Sequence, residues 1–179
     1  METPFPRLTY EASCRFLQRE GYLEAGPIPS MPTKLPAHDD AAALGVSFFR
    51  TRVVDAALEN LTMPRTFLGR CQVGPVSMRN CDLSESNLCW NNFEAVDFTD
   101  CDLSRSDLRA SEFERVTFFR CDLRNADLRQ SWFNGCDFRN AAMGGTKLMP
   151  AQGATLDLSP QQRQEIDWQD DEGPEPDGG

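Results

Sequence analysis

A chain of 179 residues with a formal net charge of −10, from 18 Lys+Arg against 28 Asp+Glu, has room for one domain with short appendages. The acidic balance speaks against direct binding to nucleic acid or to an anionic membrane, since both need a basic surface. His38 is the one histidine, so no multi-His metal site is expected, and no run of apolar residues is long enough for a spanning helix.

Seven cysteines, an odd number, with no basic-then-apolar leader at METPFPRLTYEAS, read as reduced thiols and a cytoplasmic location. The charge is unevenly placed. Residues 46–148 carry 14 acids and 13 bases, whereas residues 149–179 carry 8 acids and one base, Arg163. The acidity is mostly a tail.

In chain order, Thr9 can N-cap a short helix over Tyr10–Glu20, with Ala12, Phe16 and Leu17 as its apolar face. GPIPSMPTKLP, residues 26–36, holds four prolines and reads as an extended linker. Residues 37–45 are Ala-rich and suit one helical turn.

The middle of the chain is written with a period of five. Every fifth residue from Phe48 to Leu148 is apolar, 21 in succession. Two residues before each stands Val, Ala, Cys, Ser or Thr almost throughout, with Leu61 and Asn91 as exceptions. Period five fits neither a helix nor a long strand. Each pentad is therefore a short extended piece with an inward small–large pair, followed by a turn. A second period confirms the winding: Phe93 and Phe98, Phe113 and Phe118, Phe133 and Phe138 recur every 20 residues, as do Cys81, Cys101 and Cys121. Twenty residues per turn means four pentads per coil and a square cross-section, an all-β solenoid.

SDLRA, ADLRQ and CDLSR are similar to the A(D/N)LXX motif of the pentapeptide-repeat family. The resemblance covers residues 46–148 and implies a right-handed quadrilateral β-helix of about five coils; the flanking segments read as short helical caps at both ends. From 46 to about 80 the match is degenerate, with Pro64 and Gly74-Pro75 at outward positions, so irregular first coils are expected.

After Leu148, Ser159–Gln162 (SPQQ) looks like a capping-box start, and a helix over 160–169 would lay Ile166 on the last coil. The expected organisation is thus a cap helix and linker over 1–45, the repeat over 46–148, a cap over 149–169 and a disordered acidic tail over 170–179.

Chemistry is sparse. Asp82, Asp102 and Asp122 form a polar column, partly neutralised by Arg79 or Arg120, whose stacking could raise carboxylate pKa values. The Cys81–Cys101–Cys121 column reads as core packing, since parallel Cβ vectors suit neither a disulfide nor tetrahedral zinc. No catalytic residue, cofactor or metal site is expected. Function then lies on the outer surface. The 20-residue register puts Trp90, Trp132, Arg109, Arg129 and Arg70 near one edge of the prism, and Trp and Arg are frequent interface anchors. Packing beneath a cap is the other explanation for the two tryptophans, and cap contact the expected one for Phe67 and Phe119.

Two functions fit. The first is a non-enzymatic, rigid protein–protein interaction module, an adaptor or immunity-type binder in a bacterial setting. The second comes from the resemblance: some pentapeptide-repeat proteins mimic B-form DNA and protect DNA gyrase from inhibitors. The nearly neutral rod speaks against mimicry, and five coils is short unless a homodimer through the terminal cap lengthens it.

Overall fold

The computed structural model describes residues 6–36 and 45–170. The Ala-rich turn expected over 37–45 and the acidic tail expected over 170–179 lie, apart from Gly45 and Asp170, outside the described residues.

Helix α1 (Tyr10–Arg19) precedes a run of very short strands: β1 (Ser47–Phe49), β2 (Arg52–Val53), β3 (Ala56–Glu59), β4 (Phe67–Gly69), β5 (Gln72–Val73), β6 (Val76–Arg79), β7 (Asn92–Glu94), β8 (Val96–Thr99), β9 (Glu112–Glu114), β10 (Trp132–Asn134) and β11 (Lys147–Leu148). Two short helices, α2 (Pro150–Gly153) and α3 (Pro160–Glu165), and strand β12 (Asp167–Trp168) complete the order. All pairings are parallel and join residues 20 apart, from Ser47↔Phe67 to Lys147↔Asp167. Isolated bridges such as Asp82↔Asp102↔Asp122 carry the same register where no strand is long enough to name. The chain is a β-solenoid of about six turns. The turn beyond the expected five comes from β12, which folds the C-terminal segment into the ladder as a last coil. Helix α3 accordingly stops at Glu165, before the end of the expected span.

The apolar column fills the interior. All 21 of its side chains are buried except Phe133, which is partly covered. Phenyl rings stack in two files: Phe93–Phe113–Phe133 at 5.0 and 5.2 Å, and Phe98–Phe118–Phe138 at 5.5 and 4.9 Å between centroids. The files meet edge-on, 5.7 Å apart at Phe113–Phe118. The next place in the first file is Gly153, against which the Trp168 indole packs. A Cβ there would meet the ring at 2.3 Å, so that file ends at Phe133.

The small column does more than save space. Ser106 Oγ donates to Leu83 O at 2.9 Å and accepts from Ser86 N at 3.1 Å. Ser111 and Ser131 repeat this in the next column. Cys81, Cys101 and Cys121 donate thiol hydrogens to Leu58, Met78 and Phe98 carbonyls at 3.2, 3.1 and 2.8 Å. Asn91, an exception by size, accepts from Cys71 N and donates to Leu68 O, both at 2.7 Å. These groups partner buried backbone polar atoms at the corners, where an unpaired group is costly.

The corners turn through the left-handed region at every fifth residue. Asn60, Asn80, Glu85, Trp90, Arg105 and Gln130 all have φ between 50° and 60°. A non-glycine residue there costs about 1–2 kcal/mol, so stacking has to offset each corner. The Gly74-Pro75 corner departs from the series, and a Cβ on Gly74 would lie 1.7 Å from Glu94 O. Even so, the first coils are not irregular: β1–β6 hold register throughout. Motif degeneracy there changes side chains, while the apolar column and corner spacing persist.

Both edges of the ladder are plugged. Ser13 of α1 accepts from Thr62 N at 2.8 Å, and Leu8 N reaches Asn60 O at 2.7 Å. Of the expected face Leu17 is buried and Phe16 partly buried against the core, while Ser13 and Cys14, in place of Ala12, complete the buried side. The hydrogen bond to the first coil rotates the helix toward Ser13. At the other end, Gln152 Nε2 donates to Leu128 O and Ser131 O at 2.9 and 2.7 Å. Gln162 Nε2 does the same for Phe138 O and Ala141 O at 2.8 and 3.1 Å. Each glutamine also accepts from its own N-cap backbone, Met149 N at 2.8 Å and Ser159 N at 2.9 Å.

Two variants separate packing from hydrogen bonding. Phe113→Ala, at the crossing of the ring files, should cost about 3–5 kcal/mol. Ser106→Ala, which orphans one buried N–H and one C=O, should cost about 1–3 kcal/mol. Urea unfolding curves measure both, and an Ser106→Ala cost near zero would refute the partnering role of the small column.

Candidate partner-binding surface

Outward residues follow the same 20-residue register, so the surface is a set of columns. The acidic positions are turn caps. Asp107, Asp122, Asp127 and Asp137 each accept from the backbone N–H two residues on, at 2.9–3.2 Å. In the Asp-X-Arg pentads the guanidinium folds back onto the same carboxylate: Arg109–Asp107 at 2.7 Å, Arg129–Asp127 at 2.8 Å, Arg139–Asp137 at 2.7 Å, and Arg124–Asp122. The expected neutralisation by Arg79 and Arg120 is therefore corrected. Arg79 pairs with Asp97 at 2.8 Å and Arg120 with Asp100 at 2.5 Å. Stacking does not raise the Asp122 carboxyl. The Arg124 guanidinium holds it below the usual carboxylate range, and Arg139 does the same for Asp137.

One outward column also alternates in sign from coil to coil. Arg65, Glu85 and Arg105 occupy one place on three successive coils and pair at 3.2 and 3.3 Å. The two arginines hold the Glu85 carboxyl down.

The tryptophans are not under a cap. Trp90 is 63% exposed and Trp132 55%. Trp90 lines a shallow recess of about 240 Å³ with Phe49, Phe67, Gly69, Arg70 and Cys89. Phe67 is buried in its wall, not outward against a cap, and stacks on Phe49 at 6.4 Å between centroids. Gly69 makes room for this pair, since a Cβ would stand 2.6 Å from the Phe67 ring. Cys89 forms part of the floor. Its thiol donates to Asn87 Oδ1 at 2.9 Å, and burial together with the Asp107 charge pushes its pKa up to about 11. Phe119 also lacks the expected role as a cap contact; it lies beneath the Arg120 and Arg139 guanidiniums at 4.6 and 5.9 Å.

Of the five residues singled out by register, Arg70 and Trp90 share the recess. Arg109 and Arg129 lie farther along the adjacent column, that of Phe49, Gly69 and Cys89, each held by its own aspartate. Trp132 stands on β10 at another column, two coils beyond Trp90. Phe49, Phe67, Gly69 and Cys89 complete the recess. The exposed Phe49 and the gap at Gly69 were visible in the register; the inward lean of Phe67 was not.

Among the described residues, no group of three His, Cys, Asp or Glu side chains could hold a metal ion, and no helix is long and apolar enough to cross a membrane.

A rod coiled four pentads to the turn, with a packed interior and all its variety on the outside, defines a class of repeat protein. The family model for a pentapeptide repeat region matches residues 91–168, and the β-solenoid is of the kind found in pentapeptide repeat proteins. Among solved structures it is similar to HetL, a pentapeptide repeat protein involved in heterocyst differentiation regulation from the cyanobacterium Nostoc sp. strain PCC 7120, at 18% identity and TM-score 0.38 over 56% of this chain and 48% of that one. It is similar to QnrB1, a plasmid-mediated fluoroquinolone resistance protein, at 14% identity and TM-score 0.39 over 56% and 63%. The pentapeptide repeat protein Rfr23 of the cyanobacterium Cyanothece 51142 matches at 15% identity and TM-score 0.34 over 58% and 84%. The chain thus spans about half the length of HetL and under two thirds of QnrB1. No curated protein sequence matches.

The lowered carboxylates fix a pH dependence. A group whose folded pKa is depressed contributes stability above its unfolded pKa and loses it as pH falls through the folded value. Thermal stability should hold from neutral pH to about 5 and decline below about 4. Arg124→Gln with Arg139→Gln should blunt that decline in calorimetry from pH 7 to 2.5. An unchanged decline would separate these pairs from acid sensitivity.

Proposed function

We propose that this protein is a non-enzymatic, rigid protein–protein interaction module, of the adaptor or immunity type, acting through its outer faces. The observation that carries this reading is the exposure of Trp90 and Trp132 on a rod that buries nearly every other large apolar side chain. Large exposed aromatics on a stiff repeat surface are characteristic of partner sites. Seven free thiols suit a reducing cytoplasm.

A DNA-mimic role directed at gyrase is the competing reading. It is supported by the match of residues 91–168 to a pentapeptide repeat region and by the likeness to QnrB1, which is named for fluoroquinolone resistance. It is weakened by the rod's 13 bases against 14 acids, since a mimic needs acid along its whole length. Six turns span about 29 Å at the strand spacing of about 4.8 Å, so mimicry would also call for a homodimer through residues 149–170. A monomeric mass in analytical ultracentrifugation at micromolar concentration would remove that dimer.

A tagged pull-down from the native host's lysate, at low and high salt with mass spectrometry, separates the readings. The interaction module should retain a protein at high salt and lose it with Trp90→Ala plus Trp132→Ala. Retention by the double variant would exclude these tryptophans as the binding surface. Gyrase subunits released by salt would favour mimicry instead.

A further inference from the structure

The rod contains twelve arginines, and nine of them sit in ion pairs: Arg65, Arg79, Arg105, Arg109, Arg115, Arg120, Arg124, Arg129 and Arg139. The other three are Arg50, Arg52 and Arg70, all within the first coil and a half. None has an acidic partner among the described residues. Arg50 lies over the Phe49 ring at 5.1 Å, and Arg70 lines the recess beside Trp90. Glu24 lines an adjoining recess that shares Phe49, yet it pairs with none of the three.

Where arginines fall on successive coils elsewhere, an acid is at hand: Glu85 lies between Arg65 and Arg105, and Arg109 and Arg129 are each paired with an aspartate. Arg50 and Arg70 have no such acid among the described residues. Their neighbours Phe49 and Gly69 are directly paired across the ladder, so two cations occupy the same place one strand spacing apart with no anion between them. Like charges opposite each other on adjacent strands destabilise. Beside them stand two half-exposed aromatic rings over an apolar floor of Gly69 and Cys89. Among the described residues the charge lacks a counter-charge and the rings lack a cover, at one spot.

We propose that this N-terminal corner, around Phe49, Arg50, Arg70 and Trp90, binds an acidic segment of a partner protein that carries an aromatic anchor. The anchor enters the recess between Phe49 and Trp90, and its flanking carboxylates pair with Arg50, Arg52 and Arg70. This deepens the interaction reading, on which it rests, by giving the partner's chemistry and moving the binding centre away from Arg109, Arg129 and Trp132.

The test uses the full chain and three labelled synthetic peptides in fluorescence anisotropy: Glu and Asp around one Phe, the same acids around Gly, and Lys and Arg around one Phe. The acidic Phe peptide should bind at least about tenfold tighter than either control, and weaken as salt rises. Arg70→Glu should weaken it about tenfold or more. Trp90→Asn, which suits the left-handed backbone better than Trp, should do the same without loss of thermal stability. Equal affinity for the three peptides, or full affinity in Arg70→Glu with an unchanged circular dichroism spectrum, overturns the proposal. Tighter binding by a peptide of residues 169–179 would assign the corner to this chain's own acidic end. A concentration-dependent dimer abolished by Arg70→Glu would assign it to a second copy. Either result also overturns the proposal. A lysate partner that survives Arg70→Glu but is lost with Trp132→Ala would leave the interaction module standing and remove this inference alone.

Discussion

Parallel backbone hydrogen bonding between residues 20 apart constrains everything else in this rod. Each coil supplies the donors and acceptors that the next one needs. The chain must therefore return to the same lateral position every four pentads, and the left-handed corner at each fifth residue makes the turn. The interior that remains is narrow. One large side chain per pentad fits, with a small one beside it, and the phenyl files form because equal places on successive coils lie at van der Waals separation. A ladder of this kind always leaves an unpaired row at each end. Here the ends are closed by side chains: Ser13 takes the place of a missing strand at one end, and Gln152 and Gln162 at the other.

Much of this was legible in residue order. The apolar column, the 20-residue recurrence and the square section follow from spacing alone, and the structure places the rings where that spacing requires. What spacing hides is the second duty of small polar residues. Ser106 and Cys101 look like packing choices until the carbonyls they bond are seen. The C-terminal closure did carry a signal. Met149–Gln152 and Ser159–Gln162 both read X-Pro-X-Gln, ten residues apart. Only the second stands out as a helix start, because Met149 offers no capping oxygen. The sixth turn was obscured for the same reason: two helical corners interrupt the pentad pattern before β12 restores the register.

The surface was harder to read. Register located Trp90 and Arg70 together, but charge pairing depends on rotamers. Arg109 and Arg129 look like free interface anchors in the sequence, whereas each is folded onto the aspartate two residues before it. These exposed pairs contribute little individually, typically under about 1 kcal/mol. Their effect is to neutralise the surface locally, leaving a corner at the N-terminal end where cations and rings remain uncompensated. The candidate site is thus defined as much by the pairing of the other arginines as by its own residues.

The corner spacing also limits how such a gene can change length. Removing or adding one pentad would rotate every later residue by one face. Trp132 would move to a different side of the prism, and the ring files would break out of line. A duplication of twenty residues would lengthen the rod by one turn and leave every column aligned. The pentad is the unit of folding, but the coil is the unit in which this protein can grow without re-aiming its surface.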